Sequence, residues 1–319
     1  MRYRNLGCTG IKASEVGFGA WGIGGDAYGF VAPEQALAAI EAALKLGITF
    51  FDTADLYGAG QSESLIGEAL KDRRDHAVIA TKTGCLEHDG LQDFSPRHVK
   101  RGVEASLRRL RTRHLDLLLL HSPPPDVFDR ERGLLTALVQ LKEQGLTKAI
   151  GVSCKSPAHA RGFLQIRELD ALEMNLNLID HRAIDLGVLD ECMERRVGVI
   201  ARTPFAFGFL TGRYVPGVEF PAHDHRSMWP QEQLDTWARA PAVFAPLNSG
   251  KDRSLADLAL LFCLSHPAVT SVIPGMLTAD EAQANARAGQ MSPLSEEETL
   301  KIRTLYSENE FFVRPRRIP

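Results

Sequence analysis

No apolar run in the 319-residue chain approaches the roughly 20 residues that a membrane helix requires, so no membrane partner is expected. The opening residues, MRYRNLGCTGIKASEV, lack the apolar stretch of a secretory signal. Cysteine is sparse. Cys8, Cys85, Cys154, Cys192 and Cys263 are odd in number, scattered, and form no CxxC pair, which suits reduced thiols and a cytoplasmic location. A charge of one sign is also missing: 37 Lys+Arg face 40 Asp+Glu, a formal net charge of −3, which argues against a nucleic-acid partner held by bulk electrostatics. Glycine at 27 and proline at 17 are too few for a collagen-like or low-complexity chain. With 44% hydrophobic and 24% charged residues, the composition is that of a folded domain and excludes disorder.

Eight short apolar runs punctuate the chain. They are VGFGAW from Val16, ITFFDT from Ile48, AVIATK from Ala77, HLDLLLLH from His114, TKAIGVSC from Thr147, DALEMNL from Asp170, VGVIART from Val197 and VTSVIPG from Val269. Most are nearly continuous in apolar residues, as in parallel strands covered on both faces. Helical patterns lie between them. Leu37, Ile40 and Leu44 recur at helical spacing before Gly47. Ser95-Pro96 opens a helix with Val99, Val103 and Leu107 or Leu110 on its apolar face. Ser295 and Glu298 form a capping box ahead of Leu300, Ile302 and Leu305. Eight strand–helix rounds predict a (β/α)8 TIM barrel, an α/β fold that uses residues 1–319 as one domain. A doubly wound sheet fits less well, because GIGG at Gly22–Gly25 lacks the GxGxxG spacing. Residues 1–15 read as an N-terminal β-hairpin, 212–250 as a long irregular loop after the seventh strand, and 292–319 as a C-terminal helix and tail. In the long loop, HDHR at His223–Arg226 offers two histidines and no placed third ligand; it reads as surface loop, and no metal is expected.

Barrel active sites lie at the carboxyl ends of the strands. The second run ends in Asp52, the third in Lys82, the fourth in His121 and the fifth in Ser153 and Cys154, while Tyr57 follows Asp52 by five residues. Singly, each has an ordinary structural reading: a turn cap, a solvated lysine, a bonded histidine, a loop aromatic. Their coincidence at one end of adjacent strands points to catalysis. Asp52 supplies the anion that a buried Lys82 needs. A cation beside Tyr57 lowers its phenol pKa and makes it a proton donor near neutrality. His121 can hold a substrate oxygen. Such a set protonates an oxygen while a nicotinamide cofactor supplies the reducing equivalent.

FDTADLYGAGQSESLIGEAL, ATKTG, LDLLLLHSP, IGVSC, PFAFGFLTG and VIPG resemble, in order, the motifs of the aldo-keto reductases, from about Arg4 to about residue 290. The resemblance implies NAD(P)-dependent interconversion of an aldehyde or ketone with an alcohol. It places the family's catalytic tetrad on Asp52, Tyr57, Lys82 and His121, with Tyr57 as general acid in reduction and base in oxidation. Ser153 would hold the nicotinamide carboxamide, but Cys154 stands where Asn is usual and Ala171 where a Gln is usual. Arg202 occupies the position of a ring-stacking Tyr. Pro204, Phe205, Gly208, Leu210 and Gly212 belong to the stretch that passes over the pyrophosphate. After the eighth strand, Gly275 and an adenine-contacting Asn285 match, yet Met276, Leu277 and Glu281 stand where groups that grip a 2′-phosphate are expected. NADP(H) is the cofactor the resemblance favours; these substitutions keep NAD(H) open. Trp21 is a candidate for both cofactor and substrate, with Tyr28, Phe30 and Phe128 as further aromatic candidates for the substrate pocket. The tail arginines Arg314, Arg316 and Arg317 belong to a terminus read as solvated. Two other readings remain: a non-catalytic nicotinamide-binding sensor or accessory protein, and a Schiff-base lyase with Lys82 as nucleophile.

Overall fold

The computed structural model describes residues 1–87 and 90–313, so Arg314, Arg316 and Arg317 lie outside the described residues. Among the described residues there are ten strands: β1 (Tyr3–Asn5), β2 (Lys12–Ser14), β3 (Phe18–Gly19), β4 (Phe50–Asp52), β5 (Val78–Thr83), β6 (Leu115–His121), β7 (Thr147–Ser153), β8 (Ala171–Asn175), β9 (Gly198–Arg202) and β10 (Val269–Ile273). The strands β3 to β10 form one parallel sheet in chain order. Parallel bridges Val16–Val272 and Gly19–Gly275 bring its two edges together, so the sheet is a barrel with helices between its strands. Among the described residues no helix is long and apolar enough to cross a membrane.

The barrel explains why its strands read as unbroken apolar runs. Successive side chains alternate between an inner and an outer core, and both are dry. Leu117 and Leu119 of β6 join the inner cluster with Phe50, Ala80, Ala149, Ala171 and Ile200. Leu118 and Leu120 join the outer cluster beneath the helices. The antiparallel hairpin β1–β2 adds Leu6, Ile11 and Ala13 to the inner cluster and so plugs the amino-terminal end of the barrel. Arg2 and Arg4 pin it by donating to Glu15 at 2.8 Å each.

The expected caps are present: Ser95 Oγ accepts from His98 N, and Ser295 and Glu298 form a reciprocal box. Two helical faces differ from their apparent periodicity. Helix Pro33–Lys45 buries Ala36, Ala39, Ile40 and Ala43, leaving Leu37 and Leu44 on its flanks, because small residues let it approach helix Ala279–Ala286 closely. In helix Glu296–Ser307, Ile302 is buried while Leu300 is 66% exposed. The connection after β9 is long, as expected, but residues 231–244 within it form a helix rather than irregular chain. Pro241 and the surrounding charge disguise it. Its apolar side, Leu234, Trp237, Ala238 and Phe244, is buried and anchors the connection to the barrel.

Candidate active site

Strand parity aims one polar series into the carboxyl end of the barrel. Two residues beyond Phe50 comes Asp52, beyond Ala80 Lys82, beyond Leu119 His121, beyond Ala171 Glu173, and beyond Ile200 Arg202. Period-two alternation carries each of these inward. Lys82 is fully buried, and its Nζ donates to Asp52 Oδ1 and Oδ2 at 2.6 Å each and to the Thr53 carbonyl at 3.1 Å. It reaches Tyr57 Oη at 3.4 Å and Glu173 Oε2 at 3.3 Å. The rings of Tyr57 and His121 meet edge-on, 5.8 Å apart. Asp52 and Tyr57 thus lie beside the Lys82 ammonium, and His121 lies against the Tyr57 ring. Glu173 is an addition: it reads as one more polar residue in DALEMNL, and only its in-register pairing with Ser153 brings it under Lys82.

Tyr57 is held by close backbone contact. Gly58 has φ +58°, and a Cβ there would stand 2.1 Å from the Gly24 carbonyl oxygen. The Gly58 N–H donates to Asp26 Oδ2 at 2.9 Å. Two glycines therefore let the loop after β3 lie directly on the loop after β4 and fix where the phenol points.

The electrostatics depart from the simple expectation for Tyr57. Burial raises its pKa above the ordinary phenol range; Lys82 and Arg202 pull it down, while Asp52 and Glu173 push it up. The ammonium faces Asp52 and Glu173, which oppose its help to a phenolate. Burial also raises Asp52 well above the usual carboxylate range, reinforced by Glu173 and opposed by Lys82. For Lys82 burial favours the neutral amine, but Asp52, Glu173 and Tyr57 outweigh it and lift the pKa above its usual value. The arrangement is a protonated phenol poised beside a fixed cation, fit to give a proton to an oxygen.

Aromatic rings wall this end. Trp21 lies 6.2 Å from Tyr57, 5.7 Å from Tyr28 and 4.6 Å from His225 between ring centroids. The last contact joins the long connection to the first loop, where His225 N also donates to the Ala27 carbonyl. His225 carries no sequence signal for this role, because its partners lie some 200 residues away in the chain. HDHR is therefore more than exposed loop. Asp224 and Arg226 are buried and paired, and the guanidinium lies over Phe220, Tyr28 and Tyr214 at 4.1, 4.8 and 5.1 Å. Phe30 is 87% exposed. Phe128 is not brought into this ring cluster; its ring contact is Phe163, 6.2 Å away in the outer layer.

The other sequence candidates divide. Ser153 faces inward, but its hydroxyl donates to Glu173 Oε1 at 2.8 Å. Cys154, one residue on, faces the opposite way into the outer cluster, where burial raises its thiol pKa; only its carbonyl turns toward the site, accepting from Arg202 Nη2 at 2.8 Å. Ala171 is inward and apolar. Residues 203–212 wind tightly, with positive φ at Thr203, Ala206, Phe207, Gly208 and Gly212; Pro204 and Leu210 are buried, and Phe205 packs against the outer core. Three left-handed residues that are not glycine in one short turn mark a constrained segment. Gly275 is exposed beside Gly19, and Asn285 Nδ2 donates to its carbonyl at 3.4 Å. Glu281 does not leave its place open: its Oε2 accepts from the Leu277 N–H at 2.7 Å. Two buried polar atoms at this end, Asn175 Oδ1 and Arg202 Nε, have no hydrogen-bond partner among the described residues, so the donor and acceptor set suits a polar planar ligand group such as a nicotinamide.

A model of the aldo/keto reductase family matches residues 15–307. Aldo-keto reductase YhdN of Bacillus subtilis is 33% identical over 308 residues, covering 93% of this chain and 88% of its own. The NADH-specific methylglyoxal reductase of Escherichia coli is 29% identical over 304 residues, covering 89% and 92%. Among solved structures, the holo form of aldo-keto reductase AKR11C1 from Bacillus halodurans superposes with a TM-score of 0.80 at 30% identity, covering 99% of each chain.

Proposed function

Because the chain belongs to the aldo/keto reductase family, whose members support assignment as an NAD(P)-dependent carbonyl reductase, we propose that it interconverts a small aldehyde or ketone with the alcohol through Tyr57. The observation that carries this reading is the position of Lys82 Nζ, 2.6 Å from both Asp52 oxygens and 3.4 Å from Tyr57 Oη, in a buried site at the carboxyl end of the barrel.

A reduced nicotinamide cofactor, when bound, supplies the hydride. The residues do the rest. Tyr57 gives its proton to the substrate oxygen in reduction and takes it back as phenolate in oxidation. Lys82 stabilises the phenolate, Asp52 keeps Lys82 charged, and His121 beside the Tyr57 ring orients the substrate oxygen. With its pKa raised by burial, Tyr57 rests as the proton donor through the neutral range, which suits reduction. Trp21, Tyr28 and His225 form an apolar wall against which a small substrate sits. Gly275 and Asn285 would hold the adenine side of the cofactor, and residues 204–212 its pyrophosphate. Family resemblance carries NADP(H); Glu281, a carboxylate already bonded at the position of the missing cation, supports acceptance of NAD(H).

A charged, fully buried Lys82 with five oxygens within 3.4 Å of its Nζ is a poor nucleophile, which disfavours the Schiff-base alternative. The test is single-turnover oxidation of bound NADPH or NADH by a panel of aldehydes. Tyr57→Phe should slow it about 10²- to 10⁴-fold while binding of the dinucleotide persists. Unchanged turnover in that variant would remove Tyr57 as proton donor. Absence of turnover in the parent protein with every carbonyl, despite cofactor binding, would favour the sensor reading.

A further inference from the structure

Asn175 and Arg202 close β8 and β9 and are partners in the ladder between them. Both continue the inward series, Asn175 two residues after Glu173 and Arg202 two after Ile200. Each presents one buried polar atom with no hydrogen-bond partner among the described residues: Asn175 Oδ1, an acceptor, and Arg202 Nε, an N–H donor. The arginine is anchored at one terminal nitrogen, since its Nη2 donates to the Cys154 carbonyl at 2.8 Å. A buried donor and a buried acceptor left unpaired at the ends of neighbouring strands are costly, and the cost is recovered when a ligand supplies the complement. The neighbouring side chains do not compete for it. The Ser153 hydroxyl is engaged by Glu173, Cys154 faces outward and Ala171 is apolar.

We propose that Asn175 and Arg202 form the subsite for a planar primary carboxamide, that of the nicotinamide ring, with Arg202 donating to the amide oxygen and Asn175 accepting from the amide NH₂. A carboxylate would satisfy the arginine and be repelled by the asparagine oxygen. A ketone would leave Asn175 unpaired. A primary amide matches both atoms. This assignment rests on the nicotinamide reading above and adds which residues of this chain take over the carboxamide.

The experiment is equilibrium calorimetry of the full-length protein with NAD⁺ or NADP⁺, whichever binds, with the corresponding 3-acetylpyridine analogue, in which CH₃ replaces NH₂, and with ADP-ribose as a control lacking the ring. The unsubstituted protein should bind the natural dinucleotide about tenfold tighter than the analogue, the size of one hydrogen bond. Asn175→Ala should bring that ratio close to one, and Ser153→Ala should leave it near tenfold. Arg202→Met should weaken both dinucleotides. ADP-ribose affinity should stay the same in all variants, which also shows that they are folded. A ratio near one in the unsubstituted protein, or a tenfold ratio retained in Asn175→Ala, overturns the subsite. Failure of the parent protein to bind either dinucleotide instead overturns the underlying nicotinamide reading.

Discussion

Glu173 stands 3.3 Å from Lys82 through Oε2, while its Oε1 accepts from Ser153 at 2.8 Å. One ammonium is therefore shared by two buried carboxylates, and the second, which pushes the Tyr57 pKa up, is the one whose position depends on strand register. Glu173→Gln keeps the shape and removes the charge. Alcohol oxidation needs the phenolate, so its rate rises with pH toward the Tyr57 pKa. In Glu173→Gln that rising limb should shift to lower pH, by a displacement read directly from pH profiles of kcat. An unmoved limb would mean that Glu173 is only a packing group.

Removing the ammonium should be far more damaging than removing one of its partners. Lys82→Met leaves Asp52 and Glu173 buried with no cation between them, and breaking a buried pair from one side costs about 3–5 kcal/mol. Chemical denaturation should show this loss. The double variant Lys82→Met with Asp52→Asn should recover much of the stability, because one of the orphaned charges is gone, yet recover no turnover.

On the proposed cofactor reading, Glu281 would set the preference between NADP(H) and NAD(H). A phosphate carries nearly two negative charges at neutral pH, and a carboxylate at its edge opposes it, while a ribose hydroxyl can donate to the same oxygen. Glu281→Arg should strengthen NADPH binding by about tenfold or more relative to NADH, as 1.4 kcal/mol corresponds to tenfold. Fluorescence titration with both dinucleotides gives the ratio. Because Glu281 Oε2 also accepts from the Leu277 N–H at 2.7 Å, Glu281→Gln serves as the control that keeps a bonding partner there.

Acid stability should depend on His181. Its ring is fully buried, stacked on Tyr306 at 3.8 Å and Phe262 at 4.6 Å, and burial, aided by Arg303, lowers its pKa from 6.5 to about 3. A folded-state pKa below the unfolded value means that the neutral ring's contribution is complete above pH 6.5 and is lost progressively as pH falls from there toward 3. Urea midpoints measured from pH 7 to pH 4 should fall more steeply for the parent protein than for His181→Phe. The C-terminal helix that carries Tyr306 should loosen early in that descent, visible as faster amide exchange over residues 296–307.

Much of the candidate site is legible in the sequence. Asp52, Lys82 and His121 each end an apolar run, and Tyr57 follows in a loop whose glycines announce a tight turn. The barrel itself follows from eight such runs alternating with helical patterns. Glu173 and Asn175 were less visible, because LEMN lies within an otherwise ordinary strand, and only counting by twos from the inner core shows which way it faces. His225 and the helix at residues 231–244 were hidden for another reason: their apolar partners are distant in the chain, so no local period marks them.

The sequence by itself determined the fold class, the order of the strands and the parity that sends one side chain in two toward the barrel axis, because alternation and capping are local properties of the backbone. Tertiary structure decided which of those inward groups share a hydrogen bond or a charge and which are left without a partner. Lys82 has two carboxylates rather than one, Ser153 is engaged by Glu173, Cys154 turns outward, and Asn175 and Arg202 are left with a matched donor and acceptor. Those relations depend on register between neighbouring strands and on distances across a closed barrel, quantities that no single segment of chain encodes.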